Sequence, residues 1–181
     1  MRKVYIEKAE NIIENTNLLK FITYTDSEMK TISLKAWSLL SQILITEYQL
    51  DIEKEIIIYN KYKKPYIKNS NIYFNISHSK NLIAIVIDNK ECGIDIEYID
   101  YKRDIDKLKH KVLSNKELKI YNSVKDKHKY FYKMWTKKEA YYKTIGTGII
   151  VSELSQEQKL SNTRSYIYID KKDKYYISTT K

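Results

Sequence analysis

Apolar positions recur along this chain with two periods, and the period changes near residue 100. Before that point, outside the helical stretches near its start, the apolar runs are short and either alternate or are continuous, as in strands. Lys3 to Ile6 predicts a first strand, and a weak helix is expected around Ile12 to Phe21. Asp26-Ser27 has the character of an N-cap. After it, Met29, Ile32, Ala36, Leu39, Leu40, Ile43 and Leu44 recur at the spacing of a core-facing helix that runs to about Tyr48. Glu55 to Tyr59 reads as a short β run. Lys61 to Tyr66 contains the sole proline, Pro65, whose ring pushes the preceding residue toward extended geometry, so Lys64 is expected to project from a fixed loop. Ile72 to Ile76 and Leu82 to Ile87 predict strands, with Ile94 to Tyr98 as their neighbour. Beyond residue 100, Ser114-x-x-Glu117 has the form of a capping box and opens a short helix to about Tyr121. Lys129 to Ile145 predicts a longer helix, ended by Gly146. Ser165 to Ile169 and Tyr175 to Thr179 predict a hairpin. The change of period divides the chain into an expected first half, 1–90, and second half, 91–181.

Two stretches set chemistry on this scaffold. In Ile94-Asp95-Ile96-Glu97 the residues at i and i+2 share a strand face, so both carboxylates point one way while the isoleucines point into a core. Like charges so placed either face water on an edge strand or share a cation, for which a hard divalent metal suits. In the long helix, Phe131, Trp135, Glu139 and Lys143 form one ridge at i, i+4, so a glutamate and a lysine continue a line set by large aromatics. A surface ion pair and a shielded functional pair both fit that spacing. Lys30, Ser33 and Lys35 at the start of the first long helix are equally open between a solvated turn and an anion site.

Composition narrows the class. The 181 residues are 43% hydrophobic and 31% charged, enough for one sizeable core or two small ones. The longest apolar run, Leu82 to Ile87, falls far short of the ~20 residues that span a bilayer. The N-terminal stretch lacks an apolar signal core, and a lone cysteine, Cys92, allows no internal disulfide. A cytoplasmic protein without a membrane partner is expected. The net charge of +10 favours polyanionic or acidic partners, but it is spread over lysines, with arginine only at 2, 103 and 164. Eighteen tyrosines beside lysines would also suit a nucleic-acid-binding module. No recognisable nucleic-acid-binding motif accompanies them, and nucleic acid is not expected as a partner.

Phe74-Asn-Ile-Ser-His-Ser79, Gly93-Ile-Asp-Ile-Glu97 and Trp135-Thr-Lys-Lys-Glu-Ala-Tyr-Tyr-Lys143, taken in this order with Lys64-Pro65, resemble the 4′-phosphopantetheinyl transferase superfamily, in its Sfp-like branch. The resemblance implies an α+β fold: a pseudo-twofold pair of similar lobes, each a small, mainly antiparallel sheet packed on a long helix, with the site between them and the chain monomeric. It implies transfer of the 4′-phosphopantetheine arm of coenzyme A to a serine of an acidic apo carrier protein, with Mg²⁺ as cofactor. Asp95, Glu97 and Glu139 would hold the metal; Glu139 would instead or also accept the serine proton; Lys143 would bind the transferring phosphate. Lys64, Ser77 and His78 would contact coenzyme A at its 3′-phosphate end; Lys138 would contact another phosphate, its other reading being a solvated helix lysine. A phosphate facing His78 would raise its pKa above the ordinary value of about 6.5. A metal phosphohydrolase using the same D-x-E pair is the enzymatic alternative.

Two departures from the family stand out. The glycine often found before Lys-Pro is Lys63 here. The arginines often found near the first long helix are missing, leaving Lys30, Ser33 and Lys35 as nearby substitutes for the 3′-phosphate. The chain beyond the hairpin is short, so the second lobe is expected to lack an edge strand.

Overall fold

The computed structural model describes residues 2–180; Met1 and Lys181, the outer bounds of the two expected halves, lie outside the described residues. The fold is α+β, built on two three-stranded antiparallel sheets, each packed against a long helix. In the first sheet, β1 (Lys3–Lys8) and β4 (Tyr73–Ser79) flank β5 (Leu82–Asp88). β5 is apolar throughout because both its faces are covered. Ile83, Ile85 and Ile87 pack with the helix α1 (Ser27–Tyr48) in one core. Leu82, Ala84 and Val86 pack with Ile94, Ile96 and Ile177 of the second sheet in another.

Local chemistry accounts for the ends of these elements. The Asp26 carboxylate accepts from the Met29 N–H at 2.9 Å, and α1 closes on Gln49 in the left-handed region (φ 54°). Leu34, Trp37, Leu40 and Leu44 carry its buried stripe. The weak helix expected around residues 12–21 is a 3₁₀ segment, Thr16–Phe21. β2 (Ile57–Tyr59) and β3 (Pro65–Ile67) form a small separate hairpin.

The second sheet runs β6 (Ile94–Tyr98), β8 (Asp173–Thr180), β7 (Thr163–Asp170). It therefore has three strands, as the first does. Two short helices, α2 (Lys109–Val112) and α3 (Asn115–Ser123), lead into α4 (Lys127–Ile145), and α5 (Val151–Leu154) follows it. α3 opens on the expected capping box: Glu117 N–H donates to Ser114 Oγ, and Ser114 N–H donates to Glu117 Oε2 at 2.7 Å. α4 lies on β8 and β6, where the Thr136 and Ser178 hydroxyls bond at 2.7 Å. The approach is so close that a Cβ on Gly93 would collide with the Ala140 carbonyl and with Thr144.

One expectation needs correcting. β6 is not a ladder neighbour of β4 and β5; its ladder partner is β8. It does lie against β4, but side chains make the join. Asn75 Oδ1 accepts from the Ile94 N–H at 3.0 Å, Ser77 Oγ from Ile96 at 3.3 Å, and Ser79 Oγ from Tyr98 at 2.9 Å. The polar residues of β4 thus meet, at a period of two, the outward N–H groups of β6.

Replacing Asn75 by leucine, similar in size but without an acceptor, is expected to leave the Ile94 N–H unpaired and to cost about 1–3 kcal/mol. The shift in denaturation midpoint measures this, and an Asn75→Leu protein as stable as its parent contradicts the role.

Candidate active site

The site is built where α4 crosses β6 and β4. The i, i+4 ridge of α4 delivers Trp135, Glu139 and Lys143 to one side. β6 delivers Asp95 and Glu97 from one face, and β4 delivers Ser77 with His78 at its end. All but Trp135 line one cavity of about 660 Å³, which extends past Ser33 and Trp37 of α1 and past Lys63 and Pro65 of the small hairpin.

Lys143 is the hub. Its ammonium donates to Asp95 Oδ1 at 2.6 Å and to Ser77 Oγ at 2.9 Å, and stands 3.8 Å from Glu139 Oε2. The Ser77 hydroxyl donates to Asp95 Oδ1 at 2.9 Å. Trp135 Nε1 donates to Glu97 Oε1 at 3.2 Å, and Ser79 Oγ lies 3.4 Å from Glu97 Oε2. Asp95 is 2% exposed, and its Oδ2 is buried without a hydrogen-bond partner. A buried acceptor of this kind is uncommon and calls for a reason.

Three carboxylates facing one lysine are under-neutralised. Burial, and then the charge of Asp95, pushes Glu97 up to about 7, against the pull of Trp135 and Lys143. Burial and Asp95 likewise raise Glu139. Burial opposes the charge on Lys143, yet Asp95 and Glu139 outweigh it and raise the ammonium. His78 moves down, through burial and then the charge of Lys143, which together outweigh the opposing pull of Asp95.

Among the described residues no three His, Cys, Asp or Glu side chains form a ready-made metal-binding group. Asp95, Glu97 and Glu139 nevertheless share the cavity wall, and their donors are hard oxygens. The orphaned Asp95 Oδ2 and the raised Glu97 and Glu139 fit a site short of one cation.

Several other residues expected at the site lie elsewhere. Lys138 is fully buried on the far side of α4, where its ammonium holds Glu117 Oε2 at 2.6 Å and the carbonyls of Val112 and Leu154 at 2.8 and 2.6 Å. Five residues from Lys143, it is turned about 140° around the helix and cannot reach the cavity. It is neither a phosphate contact nor a solvated lysine. Lys64 is also spent: its ammonium bonds Glu91 Oε2 at 2.7 Å and the Thr144 carbonyl at 2.9 Å, tying the small hairpin to the end of α4. Lys30 is exposed outside the cavity lining. Lys35 donates to the Ala9 carbonyl at 2.8 Å, whereas Ser33 does line the cavity. Lys63 has φ 66°, which explains why a glycine would suit its position.

Sequence reading missed Asn75 and Ser79, although polar residues at every second position of an otherwise apolar strand were a usable signal. It also missed Asn60, whose side chain caps its own loop at Tyr62 and Lys64 and reaches the Gly146 carbonyl at 2.8 Å.

Comparison with known proteins converges on one family. The model of the 4′-phosphopantetheinyl transferase superfamily matches residues 91–179. The chain is 34% identical over 137 residues to the 4′-phosphopantetheinyl transferase gsp of Aneurinibacillus migulanus, covering 72% of this chain and 57% of that protein. It is 37% identical over 83 residues to the 4′-phosphopantetheinyl transferase HetI of a Nostoc species, covering 44% and 35%. It is 27% identical over 163 residues to the 4′-phosphopantetheinyl transferase Sfp of Bacillus subtilis, covering 81% and 70%. The chain thus spans less than two thirds of the first two relatives.

Two outcomes follow from the electrostatics. A carboxyl whose pKa is higher in the folded chain binds more protons when folded, so its contribution to stability falls with rising pH. Metal-free protein is expected to lose thermal stability as pH climbs from about 4.5 through about 7, with a shallower loss in Glu97→Gln; parallel curves contradict this. Lys138→Met is expected to cost about 3–5 kcal/mol by denaturant titration, because it strands Glu117 and two buried carbonyls. A Lys138→Met protein of parental stability would count against the structural role.

Proposed function

The chain belongs to the 4′-phosphopantetheinyl transferase superfamily, and on that premise we propose that it moves the 4′-phosphopantetheine arm of coenzyme A to a serine hydroxyl of an apo carrier protein, leaving adenosine 3′,5′-bisphosphate. The observation that carries this reading is the cavity in which Asp95, Glu97, Glu139 and Lys143 meet, with an unpartnered oxygen on Asp95. The halves 1–90 and 91–181 are taken as two lobes, with this cavity between them.

Asp95, Glu97 and Glu139 would hold Mg²⁺. Bound there, the ion would neutralise charge building on the pyrophosphate as it is cleaved. Lys143, now 2.6 Å from Asp95 Oδ1, is positioned to exchange that carboxylate for the transferring phosphate. Glu139, with its pKa raised, is a stronger base than an ordinary carboxylate and suits removal of the serine proton. The serine oxygen forms a bond to the phosphorus bearing the pantetheine arm, and the bond from that phosphorus to the bridging oxygen breaks. The departing nucleotide takes the electron pair. His78, which lines the cavity, would donate to a nucleotide phosphate, while the Ser77 hydroxyl gives its one proton to Asp95 and would act by holding Asp95 and Lys143 in place.

The partner is an acidic carrier domain, toward which a net charge of +10 adds long-range attraction. No helix among the described residues is long and apolar enough to cross a membrane. Neither nucleic acid nor phosphate-ester hydrolysis gains a specific observation from the site.

Purified protein with coenzyme A and Mg²⁺ is expected to add the pantetheine arm to an apo carrier protein, as read by intact mass. Chelation should abolish the transfer, and Asp95→Ala should lower kcat/KM roughly a hundredfold or more. Apo carriers from fatty acid, polyketide and peptide synthesis that all stay unmodified would overturn the proposal.

A further inference from the structure

The two margins of the second sheet are treated differently. β6, at one margin, is joined to β4 by side chains, which leaves β7 at the other. The ladders fix which backbone groups of β7 face outward. Ile94, Ile96 and Tyr98 turn their N–H groups away from β8, so it is Asp95 and Glu97 that bond to Ser178 and Tyr176. Successive residues of a strand face opposite ways, so Tyr175, Ile177 and Thr179 turn instead to β7, where they meet Tyr168, Tyr166 and Arg164. The N–H and C=O groups of Ser165, Ile167 and Ile169 are left on the outer edge. Among the described residues, no other strand and no loop backbone bonds to them.

This edge carries none of the devices that keep strands apart. β7 pairs residue for residue with β8 along its whole length, without a bulge, and Thr163–Asp170 contains no proline, glycine or lysine. Tyr166, Ile167 and Ile169 are 40%, 38% and 60% exposed. β1, at the edge of the first sheet, has a lysine at each end instead.

The strand is also complementary to itself. Laid antiparallel on a second copy with Ile167 opposite Ile167, it sets Arg164 opposite Asp170 twice, Ser165 opposite Ile169, and Tyr166 opposite Tyr168. Outward residues then meet outward residues, as a ladder requires, and each guanidinium meets a carboxylate on the same face. Asp170 already holds Lys8 through Oδ1 at 2.8 Å, but a carboxylate has two oxygens and can take the guanidinium as well. A slip of two residues, the smallest that keeps the ladder, would set Arg164 opposite Tyr168 or Lys172 and lose both charge pairs.

We propose that the chain forms a twofold dimer through β7, which joins the second sheets of two copies into one continuous sheet. The Arg164–Asp170 pairs set its register. The far margins, closed by β4, stop the assembly at two copies. The cavity lies beside β6, at the opposite margin from β7, and stays open in the dimer. The dimer goes beyond the proposed activity and does not rest on it, and it departs from the monomer that the family resemblance implies.

The test is sedimentation equilibrium of the full chain at about 0.15 M salt, which screens the repulsion between two positive copies. One strand pair is smaller than the ~1,600 Å² of a standard interface, so a dissociation constant on the order of 10 µM is expected. Ile167→Pro removes an outward N–H while sparing the ladder with β8, and should weaken the dimer about tenfold or more. Ile167→Lys, a change at an exposed position, should do the same and serves should the proline disturb the fold. Arg164→Asp and Asp170→Arg should each weaken the dimer when alone. Their equimolar mixture should recover the parental affinity, because every charge pair across the contact is then opposite in sign. Melting temperatures measured alongside separate a lost contact from a lost fold. A chain that stays monomeric to about 100 µM overturns the inference and leaves the edge to an extended segment of another protein. Assembly beyond two copies, or a dimer that neither change at Ile167 weakens, also overturns it. So does a mixture of the charge variants that associates no better than each alone.

Discussion

The site depends on how one edge of β6 is satisfied. Its other edge is paired with β8, but the N–H groups of Ile94, Ile96 and Tyr98 point away from that ladder into a buried contact. Left unpaired there, each would cost about 1–3 kcal/mol. β4 supplies three side-chain oxygens at the same period, so the two sheets meet without sharing a backbone ladder. The Ser77 hydroxyl carries the densest part of this join. It accepts from the Ile96 N–H and from Lys143 and donates its single proton to Asp95, which fills its capacity. One small side chain therefore fixes the position of β6, of the catalytic-type carboxylate on it and of the lysine on α4.

The charges sit in tension on that rigid frame. Asp95 and Glu97 share a strand face and Glu139 comes down from the helix, against a single ammonium. The polar frame does not relieve the imbalance. The indole N–H of Trp135 lowers the cost of charge on Glu97 but does not cancel the burial that pushes it up. The result is a cluster that gains from any added cation and that is held open by elements too well packed to collapse. Gly93 contributes to this directly, since any larger residue would push α4 off the strand that carries Asp95.

Most of the elements were legible in the sequence because apolar period is a strong signal where one face is buried. β6 has the expected limits, α1 ends at the expected Tyr48, and the capping box at Ser114 is present. What failed was partnership. The sequence marks Ile94 to Tyr98 as a strand, but nothing local says that its ladder is made with a hairpin some eighty residues later. Nor does it say that the contact with β4 is made by side chains. The carboxylates were legible for a related reason: their face is set by alternation within one strand, and Glu139 and Lys143 are placed by a ridge of aromatics within one helix.

The lysines show where such reasoning stops. In a chain whose positive charge is mostly lysine, residue type alone distinguishes none of them. Lys138 and Lys143 lie on one helix and within one motif, yet the first closes a ring of carbonyls behind α4 and the second faces three carboxylates in front of it. Helical phase predicts that they diverge, but it cannot say what each will meet. That is settled by α2 and α5 behind the helix and by β4 and β6 before it, elements brought together only in the folded chain. A lysine beside a motif is thus evidence about the site only when its helical phase matches that of the acidic residue it would serve. Lys143, one turn beyond Glu139, meets that condition, and Lys138, adjacent to Glu139 in sequence, does not.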